Sequence, residues 1–214
     1  MMSVKWVIFD VGETLFSERR LFNEWADWLG VEQSMFWAVL MDFILAGEDH
    51  RRVFSVFDPD FDLGGARAAR VKKGCPDVLS IGDIYPDALP AIRDLAAKAF
   101  RVGVAGNQPA HTSDLIRSLD APIELIGMSE EWNVKKPSAE FFQKLVSLTG
   151  VLPEEIAYVG DRLDNDVRPA KAAGMISVFV RRGPWAQAQD FADEASDADF
   201  TIDSLADLPS VLAK

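Results

Sequence analysis

The sequence predicts an α/β fold with a parallel sheet and an inserted all-helical module. Short runs rich in Val, Ile and Phe recur along the chain, and none of them alternates apolar with polar residues. Such continuous apolar runs are typical of parallel strands that are covered on both faces. Amphipathic helical patterns separate the later runs, which is the alternation expected of an α/β fold. One long segment after the first run contains helical patterns only.

Five runs are predicted to be strands. In chain order they are VKWVIF (4–9), FRVGVAG (100–106), IELIGM (123–128), IAYVG (156–160) and ISVFV (176–180). Helices are predicted on either side of the second strand, in PDALPAIRDLAAKA and TSDLIRSLD. A helix in SAEFFQKLVSLTG has Ser138 as its N-cap and ends at Gly150. A helix in NDVRPAKAAGM follows the fourth strand and stops at Gly174.

The segment 16–82 interrupts this alternation. It is rich in Trp, Phe, Leu and Arg, and its patterns predict helices over 19–29, 32–46, 50–57 and 63–72. We therefore expect an α/β core made of 1–15 and 83–214, and a separate helical module made of 16–82.

Composition and charge exclude some classes of partner. The chain has 22 basic and 34 acidic side chains, a formal balance of −12, so we expect neither nucleic acid nor a membrane as a partner. No apolar run reaches the length of a membrane span, and the N-terminal run is too short for a secretion signal. Cys75 is the single cysteine, which fits a reducing cytoplasmic compartment.

Polar residues follow the predicted strands at the edge where a parallel sheet binds ligands. Asp10 follows the first strand, Gly106 and Asn107 end the second, Lys136 comes after the third, and Asp161 follows the fourth. The carboxyl ends of these strands meet at one crevice, so we expect these residues to lie close together.

Several carboxylates in one crevice need a cation in order to coexist. Carboxylate, carbonyl and water oxygens are the ligands that Mg²⁺ prefers, and a lysine beside them supplies a point charge for a phosphate. The residues alone therefore predict a Mg²⁺ site that handles an anionic, phosphorylated small molecule.

Three stretches resemble motifs of the haloacid dehalogenase-like (HAD) hydrolase superfamily. FDVGETL resembles the first motif, KKP the third, and VGDRLDNDVRPAKAAGM the fourth. The helical module occupies the place of the type 1 cap of that family. The resemblance implies a Rossmann-like parallel sheet core with an inserted all-helical cap domain, and phosphatase-type chemistry on a small phosphorylated metabolite.

The resemblance also implies roles for individual residues. Asp10 would attack phosphorus and form an aspartyl-phosphate, and Lys136 would neutralise the phosphoryl oxygens. Gly106 and Asn107 would lie at the position that binds the phosphoryl group.

The implied metal ligands are the Asp10 carboxylate, the backbone carbonyl of Gly12 and Asp161. Asn165 and Asp166 would form an outer shell that positions Lys136 and metal-bound water.

Two positions depart from the family pattern. The family has a second aspartate where this chain has Gly12, and that aspartate protonates the leaving group and activates water. The family also has Ser or Thr where this chain has Gly106. Glu13 follows Gly12, and either it or a cap residue is a candidate for the missing proton chemistry.

The departures keep two alternatives open. One is a protein of this fold with weak catalysis that binds a phosphorylated ligand or a partner. The other is a hydrolase of a carbon–halogen or carbon–phosphorus bond. The acidic residues that include Asp161 and Asp166 argue against cleavage of a carbon–halogen bond, because dehalogenases of this superfamily work without metal.

Overall fold

A computed structural model describes residues 4–191 and 197–213 of the chain. The chain divides into two compact units. The first unit, called the core unit below, comprises Met1–Ser17 and Ile81–Lys214. The second, called the helical unit, is Glu18–Ser80, slightly shorter than the predicted segment 16–82.

The helical unit contains only α-helices among its regular elements, as the sequence predicts. They are α1 (Arg19–Leu29), α2 (Gln33–Leu45), α3 (Arg52–Phe57) and α4 (Leu63–Lys72). Its interior is aromatic. Phe54 stacks on Phe61 with ring centroids 4.9 Å apart and meets Trp25 edge to face at 5.1 Å, and Phe36 is fully buried. These aromatic side chains therefore form the core of this unit.

The core unit contains one sheet of six parallel strands. They are β1 (Trp6–Phe9), β2 (Arg101–Gly106), β3 (Leu125–Met128), β4 (Ile156–Gly160), β5 (Ile176–Val180) and β6 (Phe200–Ile202), in the spatial order β3-β2-β1-β4-β5-β6. The five predicted strands are confirmed, although β1 and β3 begin two residues later than predicted. The edge strand β6 was not predicted.

In the described part of the core unit, seven α-helices connect and cover the strands. They are α5 (Ala88–Ala97), α6 (Thr112–Ser118), α7 (Ser129–Trp132), α8 (Ala139–Thr149), α9 (Arg168–Ala172), α10 (Gly183–Phe191) and α11 (Leu208–Leu212). The predicted N-cap is confirmed, because the Ser138 hydroxyl accepts a hydrogen bond from the backbone N–H of Glu140. The helix predicted after the fourth strand is partly wrong. Its first turn, Leu163–Val167, is a π-helical turn, and α9 follows it.

The order of the strands determines where the polar strand ends lie. β1 is in the middle of the sheet, with Phe9 opposite Val104 of β2 on one side and Val159 of β4 on the other. All three strands are parallel, so their carboxyl ends point to the same edge. The residues that follow β1, β2 and β4 are therefore neighbours, as the sequence predicts.

Apolar side chains on both faces hold this sheet in place. One buried cluster includes Trp6 and Ile8 of β1, Tyr158 of β4, and Phe141 and Phe142 of α8. Burial of a large apolar side chain contributes about 1.5–3 kcal/mol, so this cluster fixes α8 firmly against β1 and β4.

The residue before α5, Asp87, joins distant parts of the core unit. Its carboxylate accepts two hydrogen bonds from the Arg182 guanidinium, at 2.6 and 3.0 Å, and one each from the Ser204 hydroxyl and the Leu205 backbone N–H. Burial would raise the pKa of Asp87, but Arg182 and the other donors lower it to about 2. Arg182 also donates to the Thr14 carbonyl oxygen, which links this network to the loop after β1.

Replacing Asp87 with asparagine should lower the free energy of unfolding by about 1–2 kcal/mol at pH 7. Because the folded-state pKa is lowered, the ionised carboxylate stabilises the fold fully above about pH 4. This contribution is lost progressively as the pH falls from about 4 to 2, so the difference between the two proteins should be about halved at pH 3. Urea unfolding at pH 7 and pH 3 measures both differences. The control is Asp203→Asn, which removes an exposed ion pair with Arg181 and should cost less than about 1 kcal/mol. An equal deficit for Asp87→Asn at both pH values would contradict the assignment.

Among the described residues, no single helix is both long enough and apolar enough to cross a membrane. Helices α1 and α2 pass the same test of length and composition only when they are taken together, as a pair bent by 115°.

Candidate active site

Asp10 lies directly after β1, in the middle of the carboxyl edge of the sheet. Its backbone N–H donates to the Val159 carbonyl oxygen at 2.9 Å, which extends the pairing of β1 with β4 by one residue. The residue is 8% exposed, so a carboxylate is held at the end of a buried strand. Such a position is costly unless a cation neutralises the charge.

Lys136 supplies one such cation. Its ammonium Nζ lies 2.7 Å from Asp10 Oδ1 and donates to Asp166 Oδ1 at 2.5 Å, and the residue is almost fully buried. The side chain of Asn107 holds the backbone of Lys136 in place. Asn107 Nδ2 donates to the Lys136 carbonyl oxygen at 2.9 Å, and the Lys136 N–H donates to Asn107 Oδ1 at 2.8 Å.

The two hydrogen bonds of Asn107 show a function that the sequence did not indicate. The Asn107 amide pairs with the backbone of Lys136, in the loop after α7, in the way that a neighbouring strand would. It thereby fixes the position of the Lys136 backbone and the point from which its side chain extends. The predicted contact of Asn107 with substrate stays a prediction.

Three carboxylates form a buried cluster at this edge. Asp10, Asp161 and Asp166 each have a carboxylate oxygen within 4.8 Å of the other two. Asp161 Oδ2 is buried and has no hydrogen-bond partner among the described residues. Within the described part of the chain, its other oxygen accepts a single long hydrogen bond, from the Thr14 hydroxyl at 3.5 Å. A buried carboxylate oxygen without a donor is what a cation site requires.

The electrostatics of the cluster favour an additional cation. Burial raises the pKa of Asp161 well above its usual range, and the negative charges of Asp166 and Asp10 raise this pKa further. Burial also raises the pKa of Asp166, although the ammonium group of Lys136 opposes this shift. Burial would lower the pKa of Lys136, but the carboxylates of Asp10 and Asp166 raise it well above its ordinary value. The ammonium group of Lys136 contacts Asp10 and Asp166 but not Asp161, and a divalent ion would relieve the remaining repulsion.

Gly106 leaves no room for a side chain beside Asp10. A Cβ atom at this position would lie 2.3 Å from Asp10 Oδ1 and 3.3 Å from the side chain of Val11. The Asp10 carboxylate therefore occupies the space that a Ser or Thr side chain would need. The prediction that residue 106 binds the phosphoryl group can apply only to its backbone.

The loop after Asp10 contains Gly12 and Glu13. Gly12 pairs with Phe16 through an isolated bridge, and it offers a carbonyl oxygen but no side chain. Glu13 has a left-handed backbone with φ of 49° and is 3% exposed. Its carboxylate accepts a hydrogen bond from the Tyr85 hydroxyl at 2.5 Å, so this acid is already engaged inside the core unit.

Asn165 lies in the π-helical turn and is half-buried. In the described part of the chain it makes no hydrogen bond to Lys136, so its predicted role stays a prediction. Asp166, in the same turn, contacts Lys136 directly, which is the contact that the resemblance implies for it.

A protein-family model described as haloacid dehalogenase-like hydrolase matches residues 4–174, which is most of the chain. The chain belongs to this family. The match begins at β1 and ends just before β5, so it contains every candidate site residue named above. The HAD family resemblance of the three motifs is thereby confirmed.

A curated relative of this HAD protein is the glyceraldehyde 3-phosphate phosphatase of Methanopyrus kandleri. The two sequences are 38% identical over 138 residues, which cover 61% of this chain and 58% of the relative. The chain spans little more than half the length of this and the next two curated relatives.

Solved structures with the same fold include enzymes of different chemistry. A HAD phosphatase from Thermococcus onnurineus has a TM-score of 0.59 at 23% identity, with 98% of each chain covered. An L-2-haloacid dehalogenase from Xanthobacter autotrophicus with chloropropionic acid covalently bound has a TM-score of 0.66 at 18% identity, again with 98% of each chain covered. At such identities the comparison shows the fold alone. The residues of the site are therefore the evidence that bears on which reaction the protein catalyses.

Proposed function

We propose that this HAD protein is a Mg²⁺-dependent phosphatase that hydrolyses a small phosphorylated metabolite through an aspartyl-phosphate intermediate. The observation that carries the proposal is the buried cluster of Asp10, Asp161 and Asp166 around a single ammonium group, that of Lys136. The name of the curated relative described above supports a phosphorylated substrate. A cytoplasmic location agrees with the single cysteine and stays a prediction.

The residues present fit a Mg²⁺ ion. The orphaned Asp161 Oδ2 is a hard oxygen donor in a buried site, and burial together with the carboxylates of Asp166 and Asp10 raises the pKa of Asp161, which a bound cation would oppose. Asp10, Asp161 and the Gly12 carbonyl would hold the ion, with Asp166 behind them. When bound, Mg²⁺ would supply positive charge for the phosphoryl oxygens, as it does in other phosphoryl-transfer sites.

In the first step, a carboxylate oxygen of Asp10 attacks phosphorus and forms the acyl-phosphate bond. The bond between phosphorus and the leaving oxygen breaks, and the leaving oxygen keeps the electron pair. Lys136 Nζ, 2.7 Å from Asp10 Oδ1, is placed to stabilise negative charge that develops on the phosphoryl group. Asp166 holds this ammonium group from the other side.

In the second step, water attacks phosphorus, inorganic phosphate leaves and the Asp10 carboxylate is restored. Both steps involve a proton: the leaving oxygen gains one and the attacking water loses one. Gly12 has no group that could transfer either proton, and the Glu13 carboxylate already accepts the Tyr85 hydroxyl. We therefore expect the second step to limit turnover on substrates with a good leaving group.

A second candidate function is a weakly catalytic protein that binds a phosphorylated ligand. Gly12 and Gly106 favour it, because each replaces a side chain that takes part in the family's chemistry. Carbon–halogen cleavage is disfavoured by Asp161 and Asp166, since that reaction needs no cation site. Carbon–phosphorus cleavage would need a cap lysine that forms a Schiff base with the substrate. Neither Lys72 nor Lys73 is distinguished as such a nucleophile, and the Lys73 ammonium lies over the Trp28 ring at 4.6 Å.

The proposal predicts that an aryl phosphate is hydrolysed in the presence of Mg²⁺ and not after its removal. Asp161→Asn should weaken Mg²⁺ binding, measured by calorimetry, by at least the 10–100-fold that loss of an outer-shell partner typically costs. Asp120→Asn, at a fully exposed carboxylate of the core unit, is the matched control and should bind Mg²⁺ as the parent does.

Three outcomes would separate the candidates. Halide release from a haloacid without metal would favour the dehalogenase, whereas Mg²⁺ binding with phosphate-ester binding but no turnover would favour the binding protein. Equal Mg²⁺ affinity of the parent and Asp161→Asn would overturn the metal site.

A further inference from the structure

Helix α10 lies outside the residues that match the family model, yet it contacts two loops of the site. The model match ends at residue 174, whereas α10 is Gly183–Phe191, between β5 and β6. The N-terminal end of α10 packs against the loop after β1. Farther along the helix, its side chains make three contacts with the loop after β4. These loops carry Asp10 and Asp161.

Gln189 makes two hydrogen bonds to the loop after β4. Its Oε1 accepts from the Leu163 backbone N–H at 2.7 Å, and its Nε2 donates to Asp164 Oδ1 at 2.9 Å. Leu163 and Asp164 begin the π-helical turn that follows Asp161 and contains Asp166. One half-buried amide thus fixes both the backbone and a side chain of this turn.

Arg162 extends the same connection. Its guanidinium donates to both oxygens of Asp164, at 3.1 and 2.6 Å, and lies over the Trp185 ring at 5.4 Å. Its backbone N–H donates to Asp166 Oδ2 at 3.1 Å. Asp164 therefore joins Arg162 to Gln189.

The first residue of α10 packs against the loop that follows Asp10. Gly183 has φ of 74°, and a Cβ atom there would come within 2.6–2.7 Å of three atoms of the Glu13 side chain. Only glycine allows both this backbone conformation and this close approach. Helix α10 therefore contacts the loop after β1 as well as the loop after β4.

Asp161 depends on the loop backbone for its position. Its side chain has a single long hydrogen bond, from Thr14 at 3.5 Å, and its second oxygen has no partner within the described residues. Few direct contacts therefore hold the carboxylate, and its direction follows from the conformation of residues 161–164. From outside the loop, Leu163 packs against Phe179 and Ala186, and Gln189 supplies the hydrogen bonds to the Leu163 backbone and the Asp164 side chain.

We propose that Gln189 is a positioning residue for the cation site, holding the loop after β4 so that Asp161 and Asp166 converge on Asp10. The inference rests on the proposed Mg²⁺-dependent function and extends it to a helix outside the family's motifs. Gln189 acts through Leu163 and Asp164 and does not touch the cation.

The test is Mg²⁺ binding by calorimetry to the parent and to Gln189→Met, which keeps the length of the side chain but removes both hydrogen bonds. Loss of an outer-shell partner typically weakens metal binding about 10–100-fold, and we expect about 10-fold here. Turnover on an aryl phosphate should recover towards the parent value at saturating Mg²⁺. Gln187→Met, at an exposed residue of the same helix, is the matched control and should leave the affinity unchanged.

An exchange of donor and acceptor distinguishes positioning from a general effect on folding. Gln189→Glu keeps the acceptor for Leu163 but places a carboxylate against Asp164, so Mg²⁺ binding should weaken. Adding Asp164→Asn restores a donor to this contact but weakens the contact with Arg162, so the double variant should bind Mg²⁺ more tightly than Gln189→Glu and at least as tightly as Asp164→Asn alone. This pair also decides the question if Gln189→Met does not fold.

Three results would contradict the inference. Parent-like Mg²⁺ affinity in Gln189→Met, or no recovery in the double variant, would overturn the role of Gln189 and leave the proposed function intact. A parent protein that binds no Mg²⁺ would instead overturn the proposed function, and the inference with it.

Discussion

Replacing Asp10 with asparagine should reduce phosphatase turnover by about 10⁴-fold or more, as expected when a covalent nucleophile is lost. An amide has no anionic oxygen with which to attack phosphorus, and Lys136 and Asp166 cannot replace it. The fold should be at least as stable as that of the parent in the absence of metal. The substitution removes one of three carboxylates of a buried cluster and leaves Asp166 as the partner of Lys136, and such crowding of acids at a functional site costs stability.

The measurement combines steady-state kinetics on an aryl phosphate with thermal unfolding in a chelator. Asp120→Asn, which makes the same chemical change at a fully exposed carboxylate, is the control and should change neither quantity. Trapping of a labelled phosphoryl group on the parent, but not on Asp10→Asn, would identify the nucleophile. Turnover within about 10-fold of the parent would place the nucleophile elsewhere.

Replacing Gly12 with aspartate should raise turnover, by up to the 10²–10⁴-fold that a positioned general acid or base typically contributes. In the parent, an aryl leaving group needs little protonation, so the first step is fast and the acyl-phosphate on Asp10 accumulates. Rapid-quench kinetics should therefore show a burst of released aryl alcohol. In Gly12→Asp the second step gains a base for water, and the burst should shrink as steady turnover rises.

The backbone permits this substitution. The left-handed φ in this loop belongs to Glu13, and Gly12 is not among the residues with positive φ, so an L side chain fits the conformation. Gly12→Asn is the matched control, because it adds nearly the same volume without an acid or base, and it should give no gain. An equal gain from both variants would mean that shape and not proton transfer is limiting. No gain from a folded, Mg²⁺-binding Gly12→Asp would favour the binding protein over the enzyme.

Strand patterns predicted most of the sheet because the strands are buried on both faces and are rich in β-branched and aromatic residues. β6 was missed for a physical reason. It has three residues, Phe200–Ile202, at the edge of the sheet and between Asp199 and Asp203, so its pattern is too short to stand out. The π-helical turn after β4 has helical composition, and its sequence alone does not separate it from an α-helix.

Parts of the site were predictable for a similar reason. The polar ends of parallel strands must meet, so Asp10, Asp161 and the region of Lys136 could be placed together from the sequence. The contacts of Asn107 with Lys136 and of Gln189 with Leu163 could not. Each is made by one neutral amide with a residue more than twenty positions away, and no periodicity or spacing marks it.

The pairing of β1 with β4 also determines when the site can form during synthesis, because β4 comes much later in the chain. A nascent chain that has emerged only through β3 contains Asp10, but it contains neither Asp161 nor Asp166 to complete the cluster. Pairings between residues as distant as Phe9 and Val159 carry a high loop-closure cost and form slowly. The carboxylate cluster is therefore completed late, after β4 has joined the sheet beside β1. An ion that binds only the complete cluster would stabilise fully folded chains over partly folded ones by mass action. The cation would therefore favour complete folding in addition to its role in catalysis.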